Sequence, residues 1–317
     1  MLSRKRFISR LALAAVALPL ALPLAAQAQQ FFHIGTGGTA GTYYPVGGMI
    51  ANAVSVPGKI VVTAQASNGS LANVTGIAGG AMGSGFSQSD VATWAQKSSG
   101  TFEGKPGVPG LRLIANLYPE SVHVVVKKGA DLKGKRVALD EPGSGTLVNA
   151  RAILAAYGIK ESDIKPEYIK PNQASDKLRD GSLDAFFFTG GAPAGAIAEL
   201  ASAGAGIELL AIDGKEADAL RAASGFFAPD TIAADTYKGV AAVKTLAVGA
   251  QWVTSDKADA ETVYLITKAL FSDAVQKQLA AGHAKGKFIT KENAVKSADI
   301  PFHPGAEKFY KEAGLLK

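Results

Sequence analysis

Segments with β-strand character alternate with segments of helical character along almost the whole chain. This alternation predicts an α/β fold in which parallel, doubly wound sheets are covered by helices on both faces. In such sheets, ligands bind beyond the carboxyl ends of the strands. The predicted strands cover residues 31–34, 59–66, 81–86, 111–117, 122–127, 135–139, 168–170, 183–188, 207–212 and 243–253.

Turns rich in glycine and hydroxyl groups follow three of these strands, after Ile34, Leu139 and Phe188. Glycine lets the backbone approach a bound group closely, and the helix start that follows offers free N–H groups. Two further segments, near Ser70 and Gln88, place hydroxyls and amides at predicted helix starts. Taken singly, each segment also fits a plain turn or a helix cap.

The five segments together predict one binding edge. Neutral hydroxyls, amides and helix N-terminal N–H groups stabilise a carboxylate without a formal positive charge. The aromatic rings of Tyr43 or Tyr44 and of Phe187 or Phe188 are candidates for one wall of the site. The candidate ligand-binding residues are Thr39, Tyr43, Tyr44, Ser70, Asn73, Gln88, Ser89, Ser144, Gly145, Thr146, Phe188, Thr189, Gly190 and Ala192.

The first 28 residues have the pattern of an export signal. Four basic residues precede the apolar stretch 11–26, and Ala26-Gln27-Ala28 fits a cleavage site. We therefore expect a periplasmic protein that begins near Gln29. No later run is apolar and long enough to predict a membrane-spanning helix. The chain has no cysteine, which excludes disulfides, thiolate metal sites and a lipid-modified cysteine.

Charge and length restrict the remaining possibilities. Without residues 1–28, the chain has 29 basic and 27 acidic side chains, a net charge of +2. This small charge gives no support for a nucleic-acid partner. The remaining length favours division of the core into two lobes. We predict one lobe from residues 29–123 and about 240–317 and a second from about 124–239, joined by a hinge.

Motifs spread over nearly the whole predicted mature chain resemble, in order, those of the TAXI family, the exported substrate-binding receptors of TRAP transporters. They are Gly35-Thr36-Gly37-Gly38-Thr39 with Gly41-Thr42-Tyr43-Tyr44-Pro45, Gly69-Ser70-Leu71-Ala72-Asn73, Gln88-Ser89-Asp90, Leu117-Tyr118-Pro119-Glu120, Pro142-Gly143-Ser144-Gly145-Thr146 and Asp184-Ala185-Phe186-Phe187-Phe188-Thr189-Gly190-Gly191-Ala192-Pro193.

The resemblance implies a type II periplasmic-binding-protein fold that closes on its ligand and delivers it to a membrane permease. It also implies a small carboxylate ligand such as glutamate, glutamine or 2-oxoglutarate. The pocket that it implies contains Ser70, Asn73 and Gln88, together with the segments around Tyr43, at 144–146 and at 188–192. We expect a monomer without a cofactor or a metal, and without enzymatic activity.

Three alternatives remain open. Gly35-x-Gly37-x-x-Ala40 fits a loose dinucleotide fingerprint, but residues 55–60 lack the acidic residue that binds the ribose. Gly143-Ser144-Gly145 resembles a nucleophile elbow with Ser144 as the nucleophile, but residue 142 is proline where the motif has glycine. An exported binding protein that feeds a sensor instead of a permease would have the same two lobes.

Overall fold

The computed structural model describes residues 29–317. The predicted signal peptide, residues 1–28, lies outside this part. The strands within it are β1 (Gln30–Gly35), β2 (Ile60–Gln65), β3 (Ser84–Gln88), β4 (Leu111–Lys127), β5 (Arg136–Ala138), β6 (Lys165–Glu167), β7 (Ala185–Gly190), β8 (Ile207–Leu209), β9 (Ala228–Ile232) and β10 (Val243–Ser255).

The helices within the same residues are α1 (Tyr43–Val54), α2 (Ser70–Ala78), α3 (Ser89–Lys97), α4 (Gly145–Ala156), α5 (Pro171–Asp180), α6 (Gly195–Ser202), α7 (Gly214–Ser224), α8 (Ala260–Leu270), α9 (Asp273–Gly282), α10 (Lys291–Ala294) and α11 (Pro304–Glu312). Short 3₁₀ helices lie at Gly100–Phe102, Glu161–Asp163 and Ala284–Phe288. In residues 29–317, none of the helices combines the length and the apolar character that a membrane crossing requires.

The strands hydrogen-bond in the order β2-β1-β3-β10-β4-β7-β5-β6, with β8 beside β4 and β9 beside β10. β1 runs parallel to β2 and β3, and β5 runs parallel to β6 and β7. The two long strands β4 and β10 are antiparallel to their neighbours and join these two parallel groups. The predicted parallel α/β arrangement is therefore confirmed within each group.

Several sequence expectations differ from the structure. The runs predicted at 111–117 and 122–127 form the single strand β4, because β10 pairs with it on both sides of Pro119. The strand expected at 168–170 lies instead at β6, and the structure adds β9, which pairs with β10. α2 begins at Ser70, and Gly69 is its N-cap.

Buried apolar side chains form separate clusters in two parts of the molecule. Two clusters use residues from 32–118 and 250–310, and two use residues from 122–248. β4 and β10 contribute buried residues to both parts, because each crosses from one to the other. We call residues 29–123 and 240–317 the first half, and residues 124–239 the second half. The exact lobe boundaries stay a prediction.

Candidate functional site

A cavity of about 50 Å³ lies between the two halves, where α1, α2 and α4 begin at one edge of the sheet. Such a volume holds several water molecules or the polar part of one small metabolite. Its lining residues are Gly37, Gly38, Gly41, Thr42, Tyr43, Asn68, Gly69, Ser70, Gln88, Glu120, Asp140, Glu141, Ser144, Gly145, Thr146, Pro171, Phe188, Thr189 and Gly190.

All five donor-rich segments of the sequence contribute to this cavity. Nine of the fourteen candidate residues line it: Tyr43, Ser70, Gln88, Ser144, Gly145, Thr146, Phe188, Thr189 and Gly190. They come from strand ends and helix starts in both halves, as expected for the carboxyl edge of parallel strands. The structure places these candidates in one shared space, and their contact with a ligand stays a prediction.

Five candidates lie outside the lining of the cavity. Thr39 is on an exposed turn, and Tyr44 points to solvent with 38% of its surface exposed. The Ser89 hydroxyl accepts a hydrogen bond from the Gly249 N–H at 3.3 Å. Ala192 is half-buried in the turn after β7 and is not part of the lining.

Asn73, the fifth of these residues, supports the cavity from behind. Its side-chain amide nitrogen donates to the carbonyl oxygens of Gly35 (3.1 Å), Thr36 (2.7 Å) and Phe86 (2.8 Å). Its amide oxygen accepts from the Ser67 hydroxyl at 2.7 Å. Both polar ends are therefore used within the first half, where they fix the turn after β1 against β3.

Some candidates that do line the cavity also have structural roles. The Ser70 hydroxyl accepts from the Gln88 backbone N–H at 3.0 Å. The Ser144 hydroxyl is the N-cap of α4 and accepts from the Leu147 N–H at 3.1 Å. Ser144 therefore acts as a helix cap, a common role for serine at a helix start. The hydrolase alternative would instead use this hydroxyl as a nucleophile.

The cavity also contains carboxyl side chains, which were not among the candidate residues of the sequence analysis. Glu120, Asp140 and Glu141 all line it. Asp140 has a positive φ of 74°, which turns the chain sharply between β5 and α4. The sequence offered one signal for each: Glu120 is an acidic residue within an apolar strand-like run, and Asp140 and Glu141 open the turn after Leu139.

Burial governs the charge state of these carboxyls. Glu120 is 1% exposed, and burial raises its pKa to about 8, although the Tyr43 hydroxyl that donates to it at 2.7 Å opposes this shift. Burial likewise raises the pKa of Asp140 to about 6. The cost of removing a charged carboxylate from water is the cause in each case.

Histidine side chains lie away from the cavity in the described residues. His123 is fully buried, and its Nε2 lies 2.8 Å from the Tyr237 hydroxyl oxygen while its Nδ1 lies 3.2 Å from the Phe188 carbonyl oxygen. Burial lowers the pKa of His123 to about 4. The neutral imidazole is therefore a packing and hydrogen-bonding group at the end of the first half, and its partners lie in the second half.

Hydrogen bonds join the two halves on both sides of the cavity. On one side, the Thr42 hydroxyl donates to the Gly191 carbonyl at 2.6 Å. On the other side, the Ala72 N–H donates to the Gly143 carbonyl at 3.0 Å, and the Asn149 amide donates to the Asp90 carboxylate at 2.9 Å. The structure is therefore a closed form in which the halves contact each other directly.

Comparison with known proteins identifies the family. The sequence profile described as the NMT1-like family matches residues 34–314. This chain belongs to the NMT1-like family. Similar solved structures include PhnD1 from Prochlorococcus marinus (MIT 9301) in complex with methylphosphonate, with a TM-score of 0.51 and 10% identity over 90% of this chain and 99% of that one.

A second similar structure is the alkanesulfonate-binding protein SsuA from Xanthomonas axonopodis pv. citri bound to MOPS, with a TM-score of 0.49 and 16% identity over 90% of this chain and 85% of SsuA. The similarity to PhnD1 concerns the fold. It confirms for this NMT1-like protein the predicted type II periplasmic-binding-protein fold.

Proposed function

We propose that this NMT1-like protein is an extracytoplasmic solute-binding receptor that captures a small carboxylate and delivers it to the permease of a TAXI-type TRAP transporter. Glutamate, glutamine and 2-oxoglutarate are the proposed solutes. The observation that carries the proposal is the cavity, which both halves line and which hydrogen bonds between the halves enclose. A solute held there contacts both halves only when they are closed.

Closure supplies the mechanism. A ligand shifts the equilibrium toward the closed form by its differential affinity for that form. Hydrogen bonds to the solute also strengthen when the cleft excludes water. A permease that recognises the closed arrangement of the two halves then distinguishes loaded from empty receptor. PhnD1, which has the same fold, is known with a small solute, methylphosphonate.

A thermal-shift screen tests this function. A solute at about 100 times its Kd stabilises the folded protein by about 2.7 kcal/mol, which corresponds to a rise in Tm of roughly 4 to 5 °C for a chain of this size. The screen should include amino acids, dicarboxylates, keto acids, sulfonates and phosphonates, with isothermal titration of each hit. Absence of any hit across this library would contradict the receptor function.

The transport partner needs a separate test. The proposal predicts a permease gene beside this one. Co-expression of the two should restore growth on the identified solute, and deletion of either gene should abolish it. The type of permease gene distinguishes a TRAP partner from another importer. A neighbouring sensor gene, with no effect of the deletions on uptake, would favour the signalling alternative.

A further inference from the structure

Helix starts that were expected to receive the carboxylate of a ligand already face carboxyl groups of the chain. Tyr43, the first residue of α1, donates its hydroxyl to Glu120. Near the start of α4, the side chains of Ser144 and Thr146 favour the charged form of Asp140, although burial raises the pKa of that carboxyl. At the start of α3, the carboxylate of Asp90 accepts from the Val91 N–H at 2.7 Å.

The cavity contains little positive charge to balance a second carboxylate. Within residues 29–317, none of its lining residues is lysine or arginine. Glu141 is paired with Lys170 at 3.6 Å. Lys285 favours the charged form of Glu120, but no ion pair within 4 Å joins them in the described part of the chain. An anionic group of a solute beside Glu120 would therefore be repelled by the ionised carboxylate, or would lie against the buried, protonated carboxyl.

Two buried polar atoms at the cavity have no hydrogen-bond partner among the described residues. These are the side-chain amide oxygen of Gln88 and the hydroxyl of Thr189. Both residues line the cavity, with 2% and 6% of their surface exposed. A buried polar group without a partner is costly, so such groups at a binding site indicate where a ligand supplies the missing bond.

The sheet brings these acceptors together with Glu120. Gln88 ends β3 opposite Ala250 of β10, and Glu120 lies opposite Val248 of the same strand. On the other side of β4, the residue after Glu120 pairs with Gly190, which follows Thr189. The three side chains therefore come from β3, β4 and β7 at one edge of the sheet, with β10 between β3 and β4.

We infer that the solute carries an ammonium group that binds the Glu120 carboxyl, with the Gln88 amide oxygen and the Thr189 hydroxyl accepting its other N–H bonds. This inference rests on the proposed receptor function and narrows its solute class. It selects solutes with an amino group, such as glutamate or glutamine, over 2-oxoglutarate and unsubstituted dicarboxylates. An ammonium group has three donors, which matches one carboxyl and two neutral acceptors.

Isothermal titration with matched solute pairs tests the inference. Each pair differs by one ammonium group: glutamate and glutarate, aspartate and succinate, alanine and propionate. The wild type should bind the amino member of its preferred pair at least 10-fold more tightly. Glu120→Gln should reduce the ratio of the two affinities at least 10-fold, chiefly by weakening the binding of the amino member. The control Glu261→Gln changes an exposed glutamate of α8 and should leave this ratio of affinities unchanged.

Thr189→Val provides a second variant, which keeps the shape of the side chain and removes its acceptor. It should lower the same ratio severalfold. Equal or tighter binding of the member without the amino group, or unchanged ratios in both variants, would overturn the inference and leave the receptor function intact. If no solute bound to the wild type, the receptor function itself would fail.

Discussion

Gly145 shows how closely the two halves approach at the cavity. A Cβ atom at this position would lie 2.4 Å from the amide carbon and oxygen of Gln88. Gln88 belongs to the first half and is buried, so its amide has little room to move. The absence of a side chain at residue 145 therefore permits the closed form, and this requirement disappears when the halves separate.

Gly145→Ala should weaken solute binding more than it affects folding. Crowding a well-packed contact costs about 1 to 3 kcal/mol, which corresponds to a roughly 5- to 150-fold increase in Kd if the cost falls on the closed form. Isothermal titration and urea unfolding of the ligand-free protein measure the two effects. Gly48→Ala is the matched control, since a Cβ in this part of α1 meets nothing within 4 Å.

The control variant should bind solute normally and unfold at a slightly higher urea concentration, because alanine favours a helix over glycine. If both variants bind alike, the close contact between Gly145 and Gln88 has no part in closure.

Asn73 has a different role, because it stabilises the backbone around the cavity without lining the cavity. Asn73→Ala leaves three buried carbonyl oxygens without their donor. The free energy of unfolding should fall by about 2 to 3 kcal/mol, because unsatisfied buried groups are costly. Urea denaturation measures this loss. Asn293→Ala, which removes an exposed amide bond to Phe288, should cost less than about 1 kcal/mol.

A different outcome would restore the interpretation of Asn73 as a ligand contact. In that case Asn73→Ala would retain normal stability while its solute affinity fell. The sequence alone could not separate these two roles, because Ser70 and Asn73 share one face of α2 whichever role they have. Only the position of the turn after β1 shows that the amide of Asn73 reaches backbone carbonyls.

Sequence analysis did not identify Glu120 as a residue of the binding site, for a related reason. Hydroxyl and glycine residues next to strand ends are recognisable locally, because their turn chemistry depends on neighbouring residues. Glu120 lies within a strand, and its contact with Tyr43 joins residues 77 positions apart. The sequence therefore predicted the donors of the cavity and missed its acceptors, which depend on the pairing of distant strands.

At the scale of elements, the alternation of strands and helices predicted most of the fold. It located β1, β3, β7 and β10 and the helices that follow the glycine-rich turns, because hydrophobic period and turn chemistry are local signals. It did not predict that β4 continues through Pro119. That continuity is a property of the sheet, since β10 supplies the pairing on both sides.

The contact between α3 and α4 is expected to stabilise the closed form. Asn149→Ala removes the amide that donates across the halves to Asp90. Loss of this bond should cost the closed form about 1 to 2 kcal/mol, which raises the Kd for solute roughly 5- to 30-fold. Small-angle X-ray scattering should show a larger radius of gyration at subsaturating solute than in the wild type.

Arg151→Ala is the control on the same helix, because Arg151 pairs with Glu161 within the second half. Its Kd and its scattering profile should match those of the wild type. An unchanged Kd for Asn149→Ala would show that the Asp90 contact forms without contributing to closure.

At the scale of the whole molecule, buried acids and a buried histidine set the dependence of stability on pH. Burial raises the pKa of Glu120 to about 8 from an ordinary value of 4.5. Folded protein keeps this proton while the unfolded chain has lost it, so this group makes stability fall as the pH rises from about 4.5 to 8. Burial lowers the pKa of His123 to about 4, so this group makes stability fall as the pH drops below 6.5.

Between pH 7 and pH 8 Glu120 therefore dominates this dependence, because burial raises the pKa values of Asp90 and Asp140 only to about 6. Burial lowers the pKa values of His123, His283 and His303 from 6.5, so these side chains have largely lost their protons above pH 7 in the folded and the unfolded chain. Across this range the free energy of unfolding of the ligand-free wild type should fall by up to about 1.4 kcal/mol per pH unit. Glu120→Gln, which can still accept from the Tyr43 hydroxyl, should give a flatter profile in urea denaturation, whereas Glu261→Gln should follow the wild type. Parallel profiles for all three proteins would mean that Glu120 is already ionised near neutral pH, and that the buried carboxyl has a stabilising partner in solution.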